Sequence, residues 1–371
     1  MISDKTRADA YVQALKAAIT PDSTVLDIGA GTGFFSIFAC KLGARKVYAV
    51  EPNELVELAR QFAAENGCDG RIEFISKLST EIELEKKADV IVCDLRGALP
   101  LFESSIVSMM DARKRLAAPG CQLIPQTDEI FFVPCEAVEF YDRMISKPLD
   151  DAYGVNIKSG RRLVTNVLLH ANDKNVDPLS QPVKFATLDY RTVEETNYAA
   201  EMSFTVERDG VANGLRGWFE ADLGHGIKFD NSLANLETIY GAPFFPFHEP
   251  VQVTAGDRID VNIRADYVKG DYNWCWDTKV TDSEGQPKAE FQQSFLLGAF
   301  QSPKKMLKAS EFYVPKPNTD ARVDAFILQR INGENLSGDI AEELQNSFTD
   351  RFATFEDALS RVNQLTERYS E

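Results

Sequence analysis

Val25-Leu26-Asp27-Ile28-Gly29-Ala30-Gly31-Thr32-Gly33 is the stretch from which the fold is read. An apolar run ends around an acid, glycines alternate with small residues, and Phe34 to Cys40 begins an amphipathic helix. Strand, glycine turn and helix in that order let a backbone approach a ligand closely, because glycine has no Cβ to collide with it. A dinucleotide site wants G-x-G-x-x-G, but the place of the last glycine holds Phe34, too bulky for close helix–strand packing. Asp27, just before the turn, suits a ligand carrying an amino group or a sulfonium better than a pyrophosphate. The next apolar run, Lys46 to Val50, leads to Glu51, the carboxylate a ribose diol takes at the second strand's tip. Turn, missing third glycine and acid together favour S-adenosylmethionine. The turn by itself also fits a βαβ unit with no ligand.

Downstream the pattern repeats. A helix over Asn53 to Asn66 precedes a strand at Arg71–Ile75, then Ser79-Thr80-Glu81, then a strand Ala88 to Cys93 that meets Asp94. Strands and helices alternating at this spacing predict a doubly wound, right-handed parallel sheet of Rossmann-like type. Ligands of such sheets bind at the carboxyl ends of the strands, where Asp27, Glu51, Ser79, Thr80 and Asp94 all fall. Gly97 and Pro100 make Asp94 to Glu103 a loop, so the two end carboxylates can fold toward each other. As bland structure, both are solvated loop acids. Upstream, Met1 to Tyr11 runs into a helical pattern that Pro21 and Asp22 end. Arg7 on it is either part of an amphipathic cap or a partner for the cofactor's carboxylate.

Composition narrows the classes. A net charge of −17 argues against nucleic acid and against an anionic membrane surface, and accommodates a cationic substrate. Six cysteines lie scattered, several in apolar runs (Cys40, Cys93, Cys135), as free thiols of a reducing compartment do. With no C-x-x-C pair and three histidines, His170, His225 and His248, no metal site is expected. The expectation is a cytoplasmic protein with no leader and no membrane span.

From Ile124 onward short β-branched and aromatic runs are separated by turn signals, among them Ile130–Pro134, Phe185–Tyr190, Met202–Glu207, Gly217–Leu223, Gln252–Thr254, Ile259–Ala265 and Trp274–Val280. A β-barrel or sandwich is expected over residues 124–300, after an α/β domain over 1–123. Residues 301–320 read as a linker and 321–371 as a small helical module, with helices at Ala325–Ile331, Ile340–Phe348 and Phe355–Tyr369. Ser337 is the expected N-cap of the second. The module resembles small winged-helix units, although Glu342 and Glu343 disqualify its second helix for DNA.

Residues 1 to about 300 resemble the protein arginine methyltransferases. The resemblance rests on M-x-x-D-x-x-R-x-x-x-Y at the start, V-L-D-I-G-A-G-T-G, Gly43 to Glu51 (G-A-R-K-V-Y-A-V-E), the acids Asp94 and Glu103, and Ala112 to Gly120 (A-R-K-R-L-A-A-P-G). It implies that Arg7, Asp27, Gly29, Gly31 and Glu51 hold S-adenosylmethionine, with Ser79 and Thr80 near the adenine. It further implies a barrel, a dimerisation arm over about 141–170, a homodimer, and catalysis by Asp94 and Glu103. Two carboxylates flanking a guanidinium pin its plane by forked hydrogen bonds and draw its charge from the attacked nitrogen. Glu103 would clamp and polarise, and Asp94 would share the clamp and help the proton leave.

Three positions depart from that pattern. Asp94 stands where the family has Glu, and a misplacement of ~1 Å costs on the order of a hundredfold. Arg96 is a cation inside the acceptor loop, repulsive to a guanidinium unless paired; as a substrate-binding residue it would receive a substrate's own carboxylate. Thr238-Ile239-Tyr240 aligns with the family's Thr-His-Trp, so the histidine is missing and Tyr240 takes its neighbour's place at the substrate. His248, nearby in sequence, is expected to be packed or solvated. The expected function is N-methyl transfer to a guanidino or related amine group of a protein, peptide or small metabolite. The alternative is a catalytically impaired scaffold that recruits a peptide through its C-terminal module.

Overall fold

The structure, a computed structural model, describes residues 3–150, 153–171, 175–235, 238–300 and 302–370. Met1 of the amino-terminal motif lies outside the described residues. The chain divides into two units, residues 1–300 and 301–371.

In the first unit, α1 (Lys5–Ala18) leads into β1 (Thr24–Ile28), α2 (Phe34–Lys41), β2 (Lys46–Val50), α3 (Leu55–Glu65), β3 (Ile72–Ile75), β4 (Ala88–Cys93), α4 (Ser105–Arg115) and β5 (Ala117–Ile124). The sheet order is β3-β2-β1-β4-β5, all parallel. Every residue of β1 is buried, as helices on both faces of a parallel sheet require. Neighbouring strands β2 and β4 leave β1 in opposite directions, and the crevice that results at β1's carboxyl end is where such sheets take ligands. Gly29, Gly31 and Gly33 have φ of 71°, 54° and 74°, left-handed values that L side chains rarely adopt. Asp4 caps α1, its carboxylate accepting the Arg7 N–H at 3.0 Å. Further along α1, Tyr11 stacks on Phe35 of α2 at 4.8 Å.

The antiparallel part begins at Thr127, three residues after the parallel sheet ends. Its strands are β6 (Thr127–Glu136), β7 (Leu169–His170), β8 (Asp177–Pro178), β9 (Val183–Asp189), β10 (Tyr198–Thr205), β11 (Gly210–Asp222), β12 (Lys228–Asp230), β13 (Pro243–Val253), β14 (Arg258–Val268), β15 (Asp271–Thr281) and β16 (Pro287–Ser294). One sheet runs β10-β14-β15-β16; the other runs β7-β13-β11-β6-β8, with β9 on β6 and β12 on β11. Because β9 lies against β10 and β13 against β16, the two sheets close on each other into a barrel-like domain. Phe132, Phe185, Phe245 and Trp274 meet edge-on or tilted inside it.

β13 begins nine residues before the strand expected at Gln252. Pro243-Phe244-Phe245-Pro246-Phe247 is buried throughout, so it shows no alternation, and its prolines mask a strand. Pro246 is accommodated at an irregularity of β11, opposite Gly214, where a Cβ would meet the Phe245 carbonyl at 2.4 Å. Between β6 and β7, short helical turns at Val138–Tyr141, Asp142–Ser146, Lys147–Asp150 and Arg161–Thr165 fill the stretch where an arm is expected. The Tyr141 hydroxyl anchors it, donating to the Phe247 carbonyl at 2.8 Å.

The second unit has helices at Pro303–Lys308, Thr319–Leu328, Ser337–Ser347 and Phe355–Tyr369. The last three enclose a core of Val323, Ile327, Ile340, Leu344, Ala358 and Val362. Three corrections apply. The supposed linker contains a helix, Ser337 is the first helical residue rather than the cap, and the described residues of this unit contain no strand to form a wing. Among the described residues no helix is long and apolar enough to cross a membrane.

Gly33 is tied to α3, since a Cβ there would stand 3.0 Å from the Ala59 Cβ. Gly33→Ala is therefore expected to destabilise the first unit by about 1–2 kcal/mol through its left-handed backbone alone. Urea unfolding measures this, and a stability unchanged from the native chain would contradict the turn geometry.

Candidate functional site

The glycine turn is pinned to the tip of β2. The Gly29 and Ala30 N–H groups donate to the Val50 carbonyl, and the Gly31 N–H donates to the Glu51 carboxylate at 2.9 Å. The Asn53 N–H donates to the other Glu51 oxygen at 3.0 Å. Beside this turn lies a cavity of about 490 Å³. Gly29, Glu51, Pro52, Leu78 and Ser79 line one side; Glu103, Ser104, Ser108 and Asp271 line the other. Leu95 rests on Gly29, where an added Cβ would meet its Cδ2 at 2.4 Å. A glycine is required there by contact as well as by backbone angle.

Of the expected cofactor residues, Gly29, Glu51 and Ser79 line the cavity. Thr80 is exposed and absent from its lining, while Leu78, which sequence reading passed over, is present. Asp27 lies beneath the turn, almost wholly buried, and accepts the Ser36 hydroxyl at 2.6 Å. Burial raises its carboxyl to about 6, against the lowering effect of the Ser36 hydrogen bond.

Asp94 and Glu103 have different surroundings. Asp94 is buried and has four side-chain partners: Arg7, Tyr11 at 3.0 Å, Arg96 at 3.0 Å and Tyr240 at 2.5 Å. Glu103 is exposed with φ of 42°, and its N–H donates to Asp271 Oδ1 at 3.1 Å. The Asp271 bond ties the backbone at Glu103 to the start of β15. Tyr11 and Tyr240 have hydroxyls pushed well above the ordinary phenol range, by burial first, so both remain donors.

Arg96 corrects a second expectation. It is buried, with 2% of its side chain exposed, and shared between two carboxylates. Nε and Nη2 donate to Asp128 at 2.8–3.2 Å, and Nη1 donates to Asp94 and to the Tyr11 hydroxyl. Its donors are engaged inside the protein, leaving none directed at a substrate carboxylate. Tyr11, Phe219 and Phe229 surround the guanidinium carbon at 5.3–5.9 Å. Tyr240 likewise holds Asp94 in place of a substrate. Arg7, read as the partner of the cofactor's carboxylate, donates to Asp94.

Two residues escaped sequence reading. Asp128, with a side chain 0% exposed, also accepts the Tyr190 hydroxyl at 2.6 Å. Thr-Asp-Glu in an alternating strand gave no hint of an inward acid. Asn231 joins three segments: its amide donates to the Ala98 and Gly241 carbonyls at 3.1 Å, and its oxygen accepts the Phe219 N–H at 2.8 Å. That fixes the acceptor loop to the loop carrying Tyr240. His248 is packed as expected, its ring against Phe291 and its Nδ1 3.3 Å from the Thr165 hydroxyl.

Residues 7–124 match the family model of ribosomal protein L11 methyltransferase (PrmA). The chain is 30% identical over 235 residues to protein arginine N-methyltransferase 6 of Xenopus laevis, over 59% of this chain and 68% of that relative. It is 34% identical over 201 residues to protein arginine N-methyltransferase 6 of Danio rerio, over 52% of this chain but 58% of that relative, less than two thirds of its length. Among solved structures, the Trypanosoma brucei PRMT1 enzyme–prozyme heterotetrameric complex with AdoHcy superposes with a TM-score of 0.72 at 22% identity. The likeness covers 80% of this chain and 96% of that one, and at this identity it speaks for the fold.

Asp128→Ala leaves Arg96 half-paired in the interior and is expected to cost about 3–5 kcal/mol of stability. Urea unfolding checks it. A loss no larger than the ~1 kcal/mol of a surface pair would contradict the buried arrangement.

Proposed function

The chain belongs to the protein arginine N-methyltransferase family, and we propose that it transfers the methyl group of S-adenosylmethionine to a guanidino or related amine nitrogen of a protein, peptide or small metabolite. The observation that carries this reading is the cavity at the carboxyl end of β1, with Glu51 on its wall and the glycine turn at its edge. The residues present fit the cofactor. Glu51 offers a carboxylate to the ribose diol, Leu78 and Ser79 offer an apolar and polar rim to the adenine, and Gly29 keeps the cavity wall free of a side chain, while Gly31, outside the lining, holds Glu51 through its N–H. Asp27 lies under the turn for the amino group, and Arg7 takes the carboxylate when it exchanges its Asp94 contact. When bound, S-adenosylmethionine supplies an electrophilic methyl carbon on a sulfonium.

The chain's own part is alignment. Asp94, held by the Tyr11 and Tyr240 hydroxyls, presents a fixed acceptor for an N–H of the substrate and for the proton released on transfer. Glu103 stands on the cavity wall and completes the pair of acids when the loop it ends turns inward. Burial strengthens the Asp94 contact, because the surroundings screen charge less than water does. A homodimer is part of this proposal. The arm exposes Met144, Tyr153 and Val155, and an apolar hollow of about 230 Å³ lined by Phe34, Phe38 and Phe62 can receive such residues from a second copy. The free cysteines fit a cytoplasmic setting.

A second reading, a scaffold that binds cofactor without turnover, draws on one observation: Asp94 already accepts from four side chains of the chain itself. Calorimetric titration of the full chain with S-adenosylhomocysteine, followed by a methyl-transfer assay on an arginine peptide, separates the two. Binding is expected, and Glu51→Gln should weaken it by roughly tenfold or more, the value of a charge-assisted hydrogen bond. Binding with no transfer would favour the scaffold. An absence of binding, or equal binding by Glu51→Gln, would overturn the cofactor assignment.

A further inference from the structure

Arg96 is unusual for a loop arginine. Its head lies between carboxylates from two separate parts of the fold, Asp94 after β4 and Asp128 in β6, with side-chain exposures of 6% and 0%. Asp128 receives it through two nitrogens, the forked geometry a carboxylate offers a planar guanidinium. Phe219 and Phe229 stand 5.3 and 5.5 Å from its central carbon, so aromatic rings supply the remaining walls. The Tyr190 hydroxyl fixes Asp128 from behind at 2.6 Å, and Tyr240 fixes Asp94 at 2.5 Å. An ammonium would satisfy neither the fork nor the flat aromatic walls as well.

We propose that Asp94, Asp128, Tyr11, Phe219 and Phe229 form a guanidinium-binding site, that Arg96 occupies it from within the chain, and that an external guanidinium enters it only when Arg96 is out. This internal site shares Asp94 with the Asp94 and Glu103 pair of the proposed reaction and adds Asp128 on its other side. Arg96 and an arginine substrate compete for Asp94, whose Oδ1 Arg96 already holds. The tether favours the internal group, because a side chain two residues from Asp94 is present at a high effective concentration. The meaning of Asp94 as an acceptor group rests on the methyltransferase reading. The site itself does not, and its test needs neither cofactor nor turnover.

The experiment is chemical rescue. Arg96→Ala, made in the full chain, leaves two buried carboxylates without their cation. Urea unfolding is followed in the native chain and in the variant with about 20 mM methylguanidinium chloride, methylammonium chloride or sodium chloride, concentrations suited to a weak ligand of the folded state. The variant's unfolding midpoint is expected to rise with methylguanidinium and with neither of the other salts, while the native chain responds to none. If Arg96→Ala does not fold alone, the same salts are compared for the yield of folded protein on dilution from urea, and only methylguanidinium should restore it. The double variant Arg96→Ala/Asp128→Asn should lose the response. No effect of methylguanidinium, an equal effect of methylammonium, or an undiminished response in the double variant would overturn the proposal.

Discussion

A single buried guanidinium joins the two halves of the first unit. Asp94 and Arg96 come from the loop after the fourth parallel strand, Asp128 from the first antiparallel strand, and Tyr11 from the amino-terminal helix. The desolvation of one arginine is severe, and only partners placed on every side offset it. The position of the barrel-like domain over the strand ends is therefore coupled to the geometry of the acceptor loop. Arg113 adds a second tie, donating to the Tyr190 and Val193 carbonyls at 2.9 and 2.7 Å. A chain that loses the central pairing loses the seat of Asp94 as well.

The cofactor side of the crevice depends on a different constraint, the three left-handed glycines that carry the chain from strand to helix. Their freedom allows the backbone to pass beneath Leu95 and bring the Gly31 N–H to Glu51. Here the strand, the turn and the terminal acid stand where the sequence puts them, because each is local. A buried β1, a glycine turn and the next strand's terminal acid all follow from contacts within some thirty residues. Alternating strands of the barrel-like domain, such as β14 and β15, are legible for the same reason, whereas the Pro243–Phe247 start of β13, buried throughout, is not.

What sequence did not disclose is long-range. Arg96 was legible as a misfit cation, yet its partner Asp128 lies 32 positions on, in a strand where an acid reads as a solvent-facing residue. The backbone at Glu103 is held by a hydrogen bond to Asp271, 168 positions away, which no local pattern encodes. Asn231 likewise acts through three distant segments. Ser337 was misread as a cap because Leu336 takes that position with no side-chain hydrogen bond, an arrangement that propensity does not favour. Local chemistry made the glycine turn and the acid at the tip of β2 legible, and tertiary pairing decided the surroundings of Asp94.

The central claim is that the Arg96 guanidinium is locked between Asp94 and Asp128 in the folded protein. Hydrogen exchange of arginine Nε–H groups, followed by nitrogen-15 NMR and assigned by the signal missing from Arg96→Lys, tests it most directly. The account predicts an Arg96 Nε–H exchanging orders of magnitude more slowly than that of free arginine, as buried and doubly engaged donors do. Exchange at the rate of free arginine would contradict it.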